Sequence, residues 1–193
     1  MRARIFLALH ALVVLLPLLG LVFGWPDARL FGTEAPARPM LSFREWSREE
    51  TQRATRSWFE EHWDQSLTLG QWWRALAESG WGFPLWPEGR FGRSLSIEEA
   101  ERVHVERRRI GALGPPTGIA TMLAGPTLLT HGTDRQIDRY LPGIVSGEHI
   151  WCQLFSEPSS GSDLASLRTR AELDGDQWVI NGQKVWTSGA HKA

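Results

Sequence analysis

The sequence predicts an α+β protein: an N-terminal all-helical bundle, then the start of an antiparallel β domain, with an extra hydrophobic helix at the N-terminus. Three observations carry this prediction. Residues 5–24 are apolar and carry no charge. Residues 41–147 hold amphipathic segments punctuated by Gly, Pro and helix-capping residues. Residues 148–193 hold short alternating segments separated by Asp-Gly and Asn-Gly turns. We therefore expect a hydrophobic segment with linker over 1–40, a helical N-terminal domain over 41–147 and a partial middle β domain over 148–193.

The apolar run at residues 5–24, IFLALHALVVLLPLLGLVFG, matches the thickness of a membrane. Its 20 residues would span about 30 Å as a helix. Arg2 and Arg4 precede it, which favours a cytoplasmic N-terminus. We favour an uncleaved anchor. A signal peptide, a wrongly chosen start site and a fusion scar remain open alternatives.

Five further segments are expected to be helical because hydroxyl residues that cap helices precede amphipathic or small apolar runs. They are Ser42 to His62, a segment through Gln71 to Ala77 capped by Ser66 or Thr68 and ending near Gly80, a segment capped by Ser96 and reaching Gly114, a buried helix over Thr117 to Thr130, and a segment capped by Thr133. Many of the 11 tryptophans lie between Trp46 and Trp86. We expect them to build an aromatic-rich core.

Four segments near the C-terminus are expected to form an antiparallel β meander. They are His149 to Phe155, Leu167 to Leu173, Gln177 to Ile180 and Gln183 to Ser188. Turn signals at residues 174–176 and 181–182 separate the last three segments.

Composition excludes several classes of function. The net charge of −1 gives no basic footprint that would argue for nucleic-acid binding. Cys152 is the single cysteine, so an intramolecular disulfide is impossible, and we expect it to be a buried small hydrophobe. No group of His and Cys has the spacing of a zinc site.

The chemistry is concentrated between Ser156 and Ala190. The loop SEPSSGSD offers backbone N–H groups and small hydroxyls with little bulk, which suits a phosphate or pyrophosphate. Further on, Trp186 stands beside the hydroxyls of Thr187 and Ser188, which suits a flat heteroaromatic ring. Together the two motifs could hold both ends of a dinucleotide.

SEPSSGSD followed by NGQKVWTSGA resembles the middle-domain flavin signature of acyl-CoA dehydrogenases. The resemblance runs from about Phe59 to Ala193 and is strongest after Gly143. It departs from the family pattern at Ser159, where Gly is usual, and at Thr187, where Ile is common. It implies an acyl-CoA dehydrogenase-like fold and FAD as the cofactor.

The resemblance also implies roles for individual residues. Gly161 and Ser162 approach the pyrophosphate, Trp186 packs against the isoalloxazine, and Ser188 offers its hydroxyl to the hydride-accepting nitrogen. Ser162 contacts the acyl-CoA substrate as well, and Glu157 is structural. The cofactor-binding residues implied in this way are Gln153, Phe155, Ser156, Gly161, Ser162, Trp186, Thr187 and Ser188.

The implied activity is the FAD-dependent α,β-dehydrogenation of acyl-CoA thioesters, an oxidoreductase step of fatty acid and lipid metabolism. Electron-transfer flavoprotein is the implied electron acceptor, and a homo- or hetero-oligomer is the implied assembly. The family's catalytic base lies in a closing helical bundle that this sequence lacks. We therefore assign no catalytic residue, interpret the chain as a fragment and expect it to be inactive alone. The chemistry indicates a cytoplasmic location, with membrane attachment through residues 5–24.

Two other functions remain open. One is a non-catalytic membrane-tethered module, or a subunit completed by a partner chain. The other is an acyl-CoA oxidase-like enzyme, which shares the flavin loop. A bound-flavin spectrum separates the enzymes from the module, and oxygen reactivity of the reduced flavin separates oxidase from dehydrogenase.

Overall fold

The structure, a computed structural model, describes residues 46–175 and 177–193. These residues fall into two compact units, one ending at His149 and the other beginning at Ile150. The first unit contains α1 (Arg48–His62), α2 (Leu69–Ser79), α3 (Ile97–Ile110), a π-helical turn (Ala120–Ala124), α4 (Gly125–His131) and α5 (Asp134–Val145). The second contains a 3₁₀ turn (Leu164–Ser166) and two strands, β1 (Arg170–Asp174) and β2 (Gln177–Asn181). The predicted hydrophobic helix at 5–24 lies outside the described residues. Within the described ranges, every helix is too short or too polar to cross a membrane.

Reciprocal capping boxes begin four of the five α-helices that the described residues form. In each box the cap hydroxyl accepts the amide of the third helical residue, whose side chain accepts the cap amide in return. The pairs are Ser47/Glu50, Thr68/Gln71, Ser96/Glu99 and Thr133/Gln136. Of the two caps considered for α2, Thr68 is the cap, since the Ser66 amide instead donates to Asp64 Oδ1 at 2.7 Å.

Helix α3 ends four residues before the predicted limit at Gly114. The chain leaves the helix at Gly111, which has a left-handed φ of 78° and whose N–H donates to the carbonyls of Arg107 and Arg108. Arg107 closes the same end, because its Nη1 donates to the Ala112 carbonyl at 2.7 Å. The end of α3 is thus a glycine C-cap at Gly111. The sequence also offers Gly114 as a helix end, which is why the predicted limit lies too far along the chain.

The prediction of one buried helix over Thr117 to Thr130 is wrong in its first half. The chain there forms a π-helical turn before α4, and Met122 is 70% exposed. The buried residues here are Ala124, Gly125, Leu128 and Leu129. At Gly125 an added Cβ would lie 2.6 Å from the Trp86 ring, so close packing requires a small residue there.

The core of the first unit is aromatic, which confirms the expectation for the Trp46–Trp86 region. Phe59 and Trp72 are completely buried together with Leu76, Leu95 and Val103. Around Trp72 lie the rings of Trp58, Phe59 and Trp63, with centroids 4.8–5.9 Å apart. The indole N–H of Trp72 donates to the Leu113 carbonyl at 2.9 Å, so its polar atom is satisfied inside the core.

A buried carboxylate ties α1 to α3. Glu106 accepts hydrogen bonds from Gln52 Nε2 at 2.6 Å and from Arg56 Nε at 3.1 Å. Burial alone would raise the pKa of Glu106, but these hydrogen bonds lower it below its ordinary value. The carboxylate is therefore charged and paired where the two helices meet.

The second unit contains one antiparallel hairpin rather than the predicted meander. Strands β1 and β2 pair from Arg170 opposite Asn181 to Asp174 opposite Gln177. In the described chain, residues 149–155 and 183–188 form no strand. The backbone hydrogen bond closest to pairing them, from the Val185 N–H to the Ser156 carbonyl at 2.9 Å, reaches only the residue after the first segment. A single bond does not make a ladder, so the strand prediction for both segments is wrong.

Candidate functional site

The Gly/Ser-rich loop is closed at its base by a pair of reciprocal backbone bonds. The Glu157 N–H donates to the Ser160 carbonyl at 2.8 Å, and the Ser160 N–H donates to the Glu157 carbonyl at 3.1 Å. Ser160 is buried, and its hydroxyl receives the hydroxyl of Ser166 at 2.8 Å. The base of the loop is thereby fixed, while residues 161–163 lie on an exposed arm.

The side chain of Glu157 accepts from three donors in two separate stretches of the second unit. Its Oε2 accepts the Arg168 amide at 2.7 Å, and its Oε1 accepts the Thr169 amide at 2.9 Å. Oε1 also receives Lys184 Nζ at 2.9 Å, in an ion pair whose side chains are 5% and 14% exposed. Both carboxylate oxygens are therefore occupied by protein donors.

The electrostatics of this cluster keep Glu157 ionised. Burial alone would raise the pKa of its carboxyl group. Hydrogen bonds from Thr169, Arg168 and Lys184 outweigh burial and lower the pKa to about 2. A carboxylate with so low a pKa, already bound by an ammonium group and two amides, is poorly suited to take a proton at neutral pH.

Lys184 also joins the loop to the segment that carries Trp186. Besides its bond to Glu157, Nζ donates to the Phe155 carbonyl at 2.9 Å. The adjacent Val185 N–H donates to the Ser156 carbonyl at the same distance. Residues 155–157 and 184–185 are therefore held side by side.

The approach of the chain to Lys184 depends on a glycine. A Cβ added to Gly182 would lie 2.2 Å from Thr169 Oγ1 and 2.8 Å from Thr169 Cα. Real Cβ atoms do not approach backbone so closely, so only glycine lets residue 182 pass Thr169. Gly182 thus brings the Lys184 segment within reach of Glu157.

Trp186 is presented outward by an unusual backbone conformation. Its φ is 57°, in the left-handed region that bulky residues rarely adopt, and its side chain is 92% exposed. The Thr187 hydroxyl donates back to the Val185 carbonyl at 3.4 Å. Ser188 follows and is exposed.

The structure brings some of the predicted site residues together. Ser156 lies beside Val185 through their backbone bond, and so next to the start of the Trp186–Ser188 segment. Gln153 and Phe155 are half-buried. Gly161 and Ser162 lie on the exposed arm, and no hydrogen bond or ring contact in the described chain joins them to Trp186. The assignment of cofactor contacts to these residues remains a prediction.

The exposed arm has the features that an anionic ligand needs. A Cβ added to Gly161 would meet nothing within 4 Å. Among the described residues, the N–H groups of Gly161 and Ser162 have no acceptor. The Ser162 side chain is exposed beside them. Successive N–H groups without a protein acceptor, next to little side-chain bulk, fit a phosphate.

Sequence reasoning missed Lys184, together with the Arg168 and Thr169 amides. The signal for Lys184 was available, since it is one of only two lysines in an arginine-rich chain and stands inside NGQKVWTSGA. The geometry agrees with the structural interpretation of Glu157.

Cys152 is only half-buried, contrary to expectation, and burial raises the pKa of its thiol, so the thiol stays protonated. The described residues contain no cluster of His, Cys, Asp and Glu able to hold a metal ion.

Comparison with known families gives two matches that together cover most of the chain. Residues 40–148 match the acyl-CoA dehydrogenase N-terminal domain, and residues 152–193 match the acyl-CoA dehydrogenase middle domain. The first match alone covers more than half of the 193 residues.

Individual relatives and solved structures point the same way. The chain is 49% identical over 120 residues to acyl-CoA dehydrogenase IpdE1 of Mycobacterium tuberculosis, covering 62% of this chain and 31% of IpdE1. It is similar to the structure of the Tcur3481-Tcur3483 steroid ACAD, with a TM-score of 0.51, 33% identity and coverage of 79% and 43% of the two chains. The ChsE4-ChsE5 complex of Mycobacterium tuberculosis gives a TM-score of 0.50, 31% identity and coverage of 76% and 41%. The chain therefore spans less than half the length of these relatives.

Proposed function

The chain belongs to the acyl-CoA dehydrogenase family, and from this premise we propose that its second unit binds FAD for the α,β-dehydrogenation of acyl-CoA thioesters. The observation that carries the proposal is the connection made by Glu157. One carboxylate holds both the loop that bears Gly161 and Ser162 and, through Lys184, the segment that bears Trp186. The two motifs that the family resemblance associates with FAD are thus parts of one hydrogen-bonded structure.

The residues present fit FAD. The open arm at Gly161 and the N–H groups of Gly161 and Ser162 would hold the pyrophosphate. The exposed face of Trp186 would pack against the isoalloxazine, and Ser188 would offer a hydroxyl to the ring edge. When bound, FAD accepts the hydride equivalent that leaves the β carbon of the thioester. Gln153, Phe155, Ser156 and Thr187 would line the same site.

The acids of the described residues do not supply an evident base. Removal of the α proton needs a carboxylate or another base within hydrogen-bond reach of the substrate. Glu157 is the buried acid of this unit, and its oxygens are already bound by Lys184 and two amides. We therefore assign Glu157 to the binding framework. The family resemblance assigns the contact with acyl-CoA to Ser162.

Two finer proposals follow from the relatives. Similarity to a steroid ACAD favours CoA thioesters with a bulky ring system as the first substrates to test. Similarity to the ChsE4-ChsE5 complex favours assembly with a second acyl-CoA dehydrogenase chain, identical or related. Electron-transfer flavoprotein is the proposed acceptor of the electrons.

Titration of the purified 193-residue chain with FAD, followed by visible absorbance and equilibrium dialysis, tests the binding proposal. We expect saturable binding with a shifted flavin spectrum. In Gly161→Val, a branched side chain fills the open arm and should weaken FAD binding about tenfold, the equivalent of one charge-assisted hydrogen bond. Val179→Ala, on the exposed face of β2, is the matched control and should bind like the wild type. Absence of saturable binding by the wild type would refute the proposal.

A second assay addresses the reaction. Short-chain, long-chain and fused-ring acyl-CoAs are added in turn to the FAD-loaded chain. Those that bind should perturb the flavin spectrum. We expect no reduction of an electron-acceptor dye by the 193-residue chain, since no described carboxylate is assigned as base. Acyl-CoA-dependent dye reduction would show that this chain supplies a base of its own.

A further inference from the structure

The backbone before Trp186 is fixed more firmly than the tryptophan itself. Trp186 is 92% exposed, so packing of its own side chain does not orient it. The two preceding residues instead make three hydrogen bonds to residues 155–157. These run from Lys184 Nζ to the Phe155 carbonyl and to Glu157 Oε1, and from the Val185 N–H to the Ser156 carbonyl, each at 2.9 Å.

The left-handed conformation of Trp186 needs such support. A bulky residue with a φ of 57° is held there only when its surroundings determine the backbone. In the described chain, the shorter bonds next to it are those of Lys184 and Val185, at 2.9 Å, while the Thr187 hydroxyl reaches the Val185 carbonyl at 3.4 Å. The direction in which the indole projects is therefore set by bonds made one and two residues earlier.

Lys184 suits this task better than a ligand-binding one. Its side chain is 14% exposed, and its ammonium group donates to the Glu157 carboxylate and the Phe155 carbonyl. An ammonium group that already serves two acceptors inside the protein has little left to offer a phosphate. Glu157 in turn accepts from the amides of Arg168 and Thr169, which anchors the pair to the start of the β1–β2 hairpin.

We propose that Glu157 and Lys184 are positioning residues, whose buried ion pair fixes the backbone that aims the Trp186 indole at the flavin ring. This inference rests on the proposed FAD function. It separates two tasks within one site: the exposed arm at Gly161 and Ser162 holds the pyrophosphate, and the ion pair sets the stacking geometry of the ring.

Lys184→Met tests whether the ion pair sets the stacking of the ring independently of pyrophosphate binding. It keeps the length of the side chain and removes its charge. Lys184→Arg is the conservative rescue, and Lys192→Met, at the exposed second lysine, is the matched control. Trp186→Leu gives the fluorescence of bound FAD when no indole stacks on the flavin ring. The readout is the fluorescence of FAD per molecule bound, since a stacked tryptophan quenches flavin emission.

We expect the wild type and Lys192→Met to quench bound FAD strongly. Lys184→Met should approach the unquenched signal of Trp186→Leu while losing no more than about tenfold in FAD affinity, the loss expected when one aromatic contact is disturbed. Lys184→Arg should recover most of the quenching. Wild-type quenching retained in Lys184→Met overturns the inference. Absence of FAD binding by the wild type overturns the proposed function instead, and this inference with it.

Hydrogen exchange provides a readout that needs no flavin. In Lys184→Met and Glu157→Gln, we expect faster exchange at the Val185 amide, with protection kept along β1 and β2. Exchange at Val185 unchanged from the wild type contradicts the positioning role. Equal loss of protection at Val185 and along both strands would show that the ion pair holds the whole unit together, and it too would overturn the inference.

Discussion

The two units of the described chain are ordered by different forces. The unit ending at His149 has an apolar interior in which Phe59, Trp72 and Leu76 are almost completely hidden from solvent. Among the described residues from 150 to 193, the buried ones are Trp151, Glu157 and Ser160, and two of these three are polar. The comparison teaches that the first unit is specified by hydrophobic pattern and the second by a few polar bonds. The candidate site lies in the unit that depends on polar bonds.

Loss of the central tryptophan should produce the largest effect on the helical unit. Trp72→Ala removes a fully buried ring and its hydrogen bond to Leu113. We expect a loss of about 3–5 kcal/mol in the free energy of unfolding of that unit. Thermal unfolding followed by near-ultraviolet circular dichroism measures the change. A cost below about 1 kcal/mol would show that the aromatic cluster does not dominate this core.

Close backbone packing at Gly182 makes the second unit vulnerable to a single methyl group. In Gly182→Ala the new Cβ would meet Thr169 Oγ1 at 2.2 Å and Cα at 2.8 Å. We expect a loss of about 1–3 kcal/mol from overpacking, together with weaker hydrogen-exchange protection at the Thr169 amide. Gly161→Ala is the matched control, because a methyl group there meets nothing within 4 Å. Equal stability of the two variants would contradict the close approach at Gly182.

Acid should weaken the second unit through Glu157. The folded-state pKa of this carboxyl is about 2, below its ordinary value of 4.5. A lowered pKa means that its contribution to stability is complete above about pH 5 and is lost as the pH falls towards 2. Nuclear magnetic resonance should show the Arg168 and Thr169 amide shifts titrating with a midpoint near 2. A midpoint near 4.5 would mean that the carboxylate is not held as described, and Glu157→Gln should abolish the transition.

Removal of the exposed tryptophan should have the smallest effect on stability. Trp186 is 92% exposed, and its φ of 57° is unfavourable for a bulky residue. Trp186→Ala should therefore change the free energy of unfolding by no more than about 0.5 kcal/mol. Thermal unfolding of this variant beside Trp72→Ala sharpens the contrast between the units. A large loss of stability in Trp186→Ala would mean that the indole is part of the fold rather than of a binding surface.

Helix starts could be predicted from the sequence because capping is local. Thr68, Ser96 and Thr133 each find their partner three residues ahead, so a short window contains the whole interaction. The end of α3 was placed too late because Gly111 and Gly114 gave equivalent local signals. Only the folded chain shows that Gly111 adopts the left-handed cap.

Strands and the candidate site were harder to predict because their partners lie far along the chain. Residues 149–155 and 183–188 have strand-like patterns, but a strand also requires a paired neighbour, and the one backbone bond nearby runs from Val185 to Ser156, just after the first segment. The partners of Glu157 lie 11, 12 and 27 positions away. The Gly/Ser loop and Trp186 could be recognised as motifs. The ion pair that connects them has no local signature.

Binding of FAD to the wild type and to Trp186→Ala is the measurement that tests the central claim most directly. The claim is that the loop after Ser156 and the indole of Trp186 hold one flavin. Titration by flavin fluorescence should show saturable binding of one FAD per chain with quenched emission in the wild type, and weaker binding with recovered emission in Trp186→Ala. Identical affinity and emission in the two proteins, or no saturable binding by the wild type, would contradict it.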